Sequence, residues 1–213
     1  MNKVLLEVPK GETSVLLHTC CAPCSSAIIE AMVQNGVTPV IYYCNPNIYP
    51  LEEYEIRKNE CTRYAESLGL EIVDADYDHE NWLEAVRGLE DEPERGGRCL
   101  KCFKLRLLRT ARYAKERGIG VITTTLASSR WKSLDQINEA GTWACGQVNA
   151  AMASGNCGDD PEGNAPDECQ DVIWWGYNWK KGGLQERRLQ IIKEYDFYNQ
   201  LYCGCEFSMR RDD

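Results

Sequence analysis

The chain has 213 residues, enough for one domain with a sizeable core. Hydrophobic residues make up 43% and charged ones 27%, an ordinary globular mix, and no apolar run reaches the length of a membrane span. With 24 basic and 33 acidic residues the net charge is −9, which argues against a general nucleic-acid binder but leaves room for a local basic groove.

The N-terminal MNKVLLEVPKGETSVLL has too short an apolar stretch for a secretory signal and no small-residue cleavage site behind it, so a cytoplasmic protein is expected. Residues 14–19, SVLLHT, read as a buried strand, and residues 22–35 as a helix that stops at Gly36. TPVIYY is a second strand. YPLEEYEIRKNECTRYAESLG reads as an amphipathic helix with proline near its start, ending at Gly69. LEIVDAD is a third strand, HENWLEAVRGL a short helix, and EDEPERGGR a charged loop. CLKCFKLRLLRTARYAKERG has Leu and Ala at helical spacing, and GVITTTL follows as a fourth strand. SLDQINEAGTWACGQV reads as helix, DVIWWGY as a fifth strand, and GLQERRLQIIKEYDFY as a last helix.

Strands alternate with helices throughout, which predicts a single α/β domain over residues 1–213, with a parallel sheet and helices on both faces. The site of such a sheet is expected beyond the carboxyl ends of its strands, near the topological switch point. Residues 149–171, dominated by Gly, Asn, Asp and Pro, read as a loop-like insertion. Cys145, Cys157 and Cys169 lie in or beside it at even spacing and read as free thiols, unless a fourth ligand makes them a metal knuckle.

Twelve cysteines exceed what packing needs. In a reducing compartment, clustered cysteines point to metal, iron–sulfur or redox chemistry. Cys20, Cys21 and Cys24 stand where the first strand gives way to a helix. Cys21-Ala-Pro-Cys24 has the spacing of a thioredoxin dithiol, with its first thiolate favoured by the helix N-terminus. The extra Cys20 and a second pair, Cys99-Leu-Lys-Cys102, weaken that reading, since a redox dithiol needs neither. Cys99 and Cys102 point the same way on a helix, with Arg98, Lys101 and Lys104 favouring their thiolates. Thiolates from two helix starts are suited to one tetrahedral sulfur centre, zinc or iron–sulfur. Cys203-Gly-Cys205 permits a strained, easily reduced disulfide; an unpaired tail motif or further metal ligands remain open for it.

LLHTCCAPCS, YYCNPNIYPLEEYEIR, DYDHENWLEAVRGLEDEPERGGRCLKCFKLRL, TTTLASSRWKSLDQINEAG and YDFYNQLYCGCEFS together resemble the cobalamin-independent epoxyqueuosine reductases, the QueH family, in order from about residue 14 to residue 208. The resemblance implies a Rossmann-like sheet of the adenine-nucleotide-hydrolase-like (HUP) type. It implies reduction of the epoxide of epoxyqueuosine, at the wobble position of tRNA, to queuosine, the last step of queuosine biosynthesis. It implies a [4Fe-4S] cluster on Cys20, Cys21, Cys99 and Cys102, and a redox-active pair at Cys203 and Cys205. It further suggests a second iron or other metal ion, with Cys24 as a conceivable ligand, and an external electron donor. The insertion and the tryptophan-rich WWGYNWKKGG depart from the family pattern, so Cys145, Cys157 and Cys169 receive no role from it.

A tRNA substrate needs a positive path. Candidates are Arg106, Arg109 and Arg112, Arg130 and Lys132, and Lys180, Lys181, Arg187 and Arg188, with Trp131 and Trp179 interleaved for base stacking. Arg130, Trp131 and Lys132 are the favoured substrate contacts, because they follow the fourth strand across the switch point from Cys20. An ATP-dependent tRNA-modifying enzyme of the same broad fold is disfavoured, because TCCAPCSS has no glycine with which to cradle a phosphate. A zinc-stabilised binding module is the non-enzymatic alternative. His18, at the end of the first strand, reads as a hydrogen-bonded core group rather than a proton donor.

Overall fold

The computed structural model describes residues 4–129, 131–153 and 170–209. Among the described residues, five strands form one parallel sheet in the order β3-β2-β1-β4-β5. They are β1 (Ser14–Thr19), β2 (Thr38–Tyr43), β3 (Ile72–Asp74), β4 (Val121–Thr124) and β5 (Ile173–Trp174). The helices are α1 (Ala22–Gln34), α2 (Leu51–Ser67), α3 (His79–Val86), α4 (Gly97–Glu116), α5 (Leu134–Ala153) and α6 (Leu184–Glu194). This is the Rossmann-like α/β architecture expected from the alternation. The strand order reverses between β1 and β4, where such sheets hold their ligands.

The central strand is apolar on both faces because both are covered. Val15 and Leu17 pack against Ile28, Met32, Tyr64 and Ile191, from α1, α2 and α6. Leu16 packs the other way, against Phe103, Leu107, Ala140 and Ala144, from α4 and α5. Each such fully buried leucine contributes roughly 1.5–3 kcal/mol relative to exposure. The close seat of α5 on β5 depends on Gly141, where a Cβ would fall 2.2 Å from the Trp174 ring.

Several elements are shorter than the sequence suggests. β5 pairs only over Ile173 and Trp174, in register with Val121 and Ile122. β4 ends at Thr124, and the chain turns through a 3-10 segment over Thr125–Ser128. α6 stops at Glu194, two residues before Asp196 takes φ 50°. In the other direction, α5 runs on through Ala153, so the first part of the expected 149–171 loop is helix. Cys157 and Cys169 lie outside the described residues. No helix among the described residues is long and apolar enough to cross a membrane.

Candidate metal and redox site

β1 ends at Thr19, and the next two residues carry the first sulfurs. Cys21 is the N-cap of α1, with extended φ −172°, and its carbonyl accepts from the amides of Cys24 and Ser25 at 3.2 Å each. Pro23 fits the first turn because an amide there would have no helical partner. The turn gathers Cys20, Cys21 and Cys24 so that their Sγ atoms lie within 4.8 Å of one another, Cys20 and Cys21 at 3.9 Å. Bonding to the Cys21 sulfur, then to that of Cys24, holds the Cys20 thiol well below the usual range. Those same bonds to Cys20 push Cys21 well above that range and Cys24 up to about 12.

His18 is buried beside them but serves the frame. Its Nδ1 is 2.6 Å from the Thr124 hydroxyl and its Nε2 3.0 Å from the Cys44 carbonyl. A carbonyl only accepts, so Nε2 carries the hydrogen and the threonine donates to Nδ1. The ring therefore ties the ends of β1, β2 and β4 together. Burial, then the Arg106 charge, lowers its pKa to about 3, so it stays neutral and gives no proton to the site. A folded pKa below the unfolded 6.5 means that the unfolded chain binds more protons, so stability is lost as pH falls through this window. Between pH 7 and pH 5 this group alone is expected to cost about 2 kcal/mol. Urea unfolding at the two pH values tests this, because His18→Gln should remove most of that difference.

α4 brings the second pair. Glu92 accepts from the Gly97 amide at 2.8 Å at the helix start, and Arg98 donates to the carbonyls of Leu89, Glu90 and Glu92, which fixes the preceding loop. Cys99 accepts from the Arg95 amide at 3.3 Å. Cys102 lies 3.9 Å from Arg106 Nη1. Arg106 is 2% exposed, and its other donors reach the Cys44 carbonyl at 3.1 Å and Asn45 Oδ1. None of these partners is a carboxylate. Burial works against its charge, and the sulfurs of Cys102 and Cys20 outweigh burial and hold it. Lys132 is alike: burial opposes its charge, while Cys203, Cys20 and Cys24 sustain it.

A cavity of about 950 Å³ opens between these elements. Cys24, Cys99, Cys102, Cys203 and Cys205 line it. So do Arg95, Arg98, Arg106, Lys132, Lys180 and Arg188, with Glu94 as the one acid among the described lining residues. Cys20 and Cys21 touch Cys24 from behind that wall. The pocket is thus strongly cationic in a chain of net charge −9. Soft sulfur donors beside buried cations that have no carboxylate partner fit a net-negative iron–sulfur or other thiolate-bound metal centre.

Of the substrate contacts read from the sequence, Trp131 and Lys132 line the cavity, Trp131 being 61% exposed. Arg130 lies outside the described residues. Arg109, Arg112, Lys181 and Arg187 are not among the lining residues. Arg187 instead bridges α6 to α1 through Glu30 at 2.7 Å. Trp179 is fully buried against Trp175 and Tyr177, so no base can stack on it. Cys145, on α5, is packed in the core. The sequence reading missed Asn45, which donates to the Thr19 carbonyl at 2.9 Å and joins two strand ends to Arg106. It also missed Arg57, which reaches the Cys203 backbone. The NPN that follows β2 was the signal for Asn45, and none marked the partners of Arg57.

A family model described as epoxyqueuosine reductase QueH matches residues 15–157 and 161–211. The chain is 45% identical over 205 residues to the epoxyqueuosine reductase QueH of Histophilus somni, covering 96% of this chain and 76% of that protein. The Haemophilus influenzae relative of the same name is 44% identical, with 96% and 75% covered. The Acinetobacter baylyi one is 40% identical over 208 residues, with 98% and 86% covered.

Proposed function

This chain belongs to the epoxyqueuosine reductase QueH family and is an oxidoreductase of queuosine biosynthesis; from that premise we propose that it reduces the epoxide of epoxyqueuosine, at the wobble position of tRNA, to the cyclopentene of queuosine. The observation that carries the reading is the convergence of cysteines from two helix starts and the C-terminal segment on one cation-lined cavity. Cys20, Cys21, Cys99 and Cys102 would hold a [4Fe-4S] cluster, leaving Cys24 for a second metal. When bound, these groups supply one-electron transfer and Lewis acidity.

Removing the epoxide oxygen takes two electrons and two protons. Cys203 and Cys205 supply both when they close to a disulfide, and the oxygen leaves as water. Burial pushes the Cys205 thiol up to about 12, so it retains its proton until the bond forms. Cys203 is half-buried on the cavity wall, where the Lys132 ammonium faces it. An external reductant then reopens the disulfide. We place the reaction in the cytoplasm, with its tRNA.

The cationic wall suits the anticodon backbone, and Trp131 at the mouth suits an unstacked base. Trp131→Ala is expected to weaken tRNA binding by about 1–3 kcal/mol, the cost of losing one base stack, without changing the metal content. Filter binding at fixed salt checks it, and unchanged affinity contradicts the assignment. The direct test of function is anaerobic incubation of the metal-loaded protein and a reductant with tRNA carrying epoxyqueuosine. Nucleoside mass spectrometry should find queuosine, and persistence of the epoxide overturns the proposal.

A further inference from the structure

Arg57 grips the backbone that carries the terminal cysteine pair. It lies on α2, 3% exposed. Its guanidinium donates to the carbonyls of Tyr202 and Cys203, at 3.3 Å each. Glu53 holds it from the other side at 2.6 Å, and also accepts from the Tyr198 hydroxyl at 2.9 Å. The next carbonyl, that of Gly204, accepts from the Tyr49 amide at 2.8 Å. Three successive carbonyls are thereby fixed. Gly204 itself sits at φ +112°, and a Cβ there would stand 3.0 Å from Arg57 Nη1 and 2.9 Å from Ile48. Only glycine fits this seat.

Both cysteines are free thiols in this arrangement, and they face different neighbours. Cys205 packs with Trp82, Val86 and Cys102. Cys203 lines the cavity with Cys99 and Lys132. A disulfide across one residue is a tight ring. Closing it draws a sulfur off its neighbours and turns the peptides that Arg57 holds.

We infer that Arg57, held by Glu53, is a positioning residue that favours the dithiol over the disulfide of Cys203 and Cys205, so that the disulfide formed at turnover is readily reopened by an external dithiol. The inference rests on the redox-pair reading above. In the reopening step the dithiol's sulfurs bond to each other, and its two electrons and two hydrogens pass to Cys203 and Cys205.

The test is a redox titration of the purified full chain in buffers of reduced and oxidised dithiothreitol, quenched with an alkylating agent in denaturant. The tryptic peptide spanning residues 194–210 contains Cys203 and Cys205 and no other cysteine, so mass spectrometry reads this pair alone. Arg57→Gln should make disulfide formation about tenfold more favourable, a potential about 30 mV more negative for a two-electron couple. Arg57→Lys should shift it similarly, because an ammonium lacks the fork that bonds two carbonyls and Glu53 together. Glu53→Gln, which leaves the guanidinium in place but loosens it, should shift it less in the same direction, and it carries the test if the Arg57 variants do not fold. Arg63→Gln, which releases Glu60 and the Tyr195 carbonyl but neither the Tyr202 nor the Cys203 carbonyl, should not shift it.

A wild-type potential in folded Arg57 and Glu53 variants overturns the inference. So does a wild-type potential in Arg57→Lys alone, which would assign the effect to charge. If the wild-type peptide forms no disulfide at any potential, the redox-pair reading itself falls and the inference with it.

Discussion

Cys99→Ala is expected to abolish both the visible absorbance of an iron–sulfur centre and the reduction of epoxyqueuosine in tRNA. Cys99 opens α4 and faces the cavity shared with Cys24 and Cys102. Its loss would leave three sulfurs where four are proposed. Outer-shell partners of a metal typically cost about 10–100-fold in affinity or activity, and a ligand costs more. The fold should survive, because alanine is a good helix former and the amide that Cys99 accepts from, that of Arg95, is at the surface. Circular dichroism should therefore match wild type while the spectrum and the nucleoside assay read zero. A variant that kept the absorbance would remove Cys99 from the ligand set.

The second large effect separates the terminal pair from the metal centre. Cys203→Ala is expected to bind iron and sulfide as wild type does, and to lose turnover by roughly 100-fold or more, about 2.7 kcal/mol of barrier. A lone Cys205 has no partner thiol with which to deliver two electrons. The backbone should hold, since Arg57 bonds the Cys203 carbonyl and not its side chain. Parallel iron analysis and steady-state assays with a thiol reductant give the result. Normal cycling of this variant with a chemical reductant would make the pair structural, or a replaceable relay.

The sheet was legible because β1 carries both signals locally: an apolar run, and a turn of Thr-Cys-Cys-Ala-Pro that stops the strand and starts a helix. Grouping Cys20, Cys21 and Cys24 was equally local, since one turn of helix brings them within 4.8 Å of each other. The reading of Cys203 and Cys205 as a redox pair rested on the family resemblance, and nothing in their spacing placed them on one cavity wall with Cys99 and Cys102. The hidden parts are long-range. Nothing near Arg57 in the sequence marks the Tyr202 and Cys203 carbonyls as its partners. Arg106 has the look of one more cation on a charged helix, yet it is buried against Asn45 and Cys102. Trp179 shows the converse error: interleaved with lysines it suggests a stacking platform, but its indole packs against two other aromatic rings in the core.

The central claim is that sulfurs from the starts of α1 and α4 hold one iron–sulfur centre. Anaerobic purification followed by iron, acid-labile sulfide and zinc quantitation tests it most directly. The expected result is about four iron and four sulfide per chain, with one further iron if the second site is filled. Stoichiometric zinc without sulfide would contradict it, and would turn the same cysteines into a structural clasp.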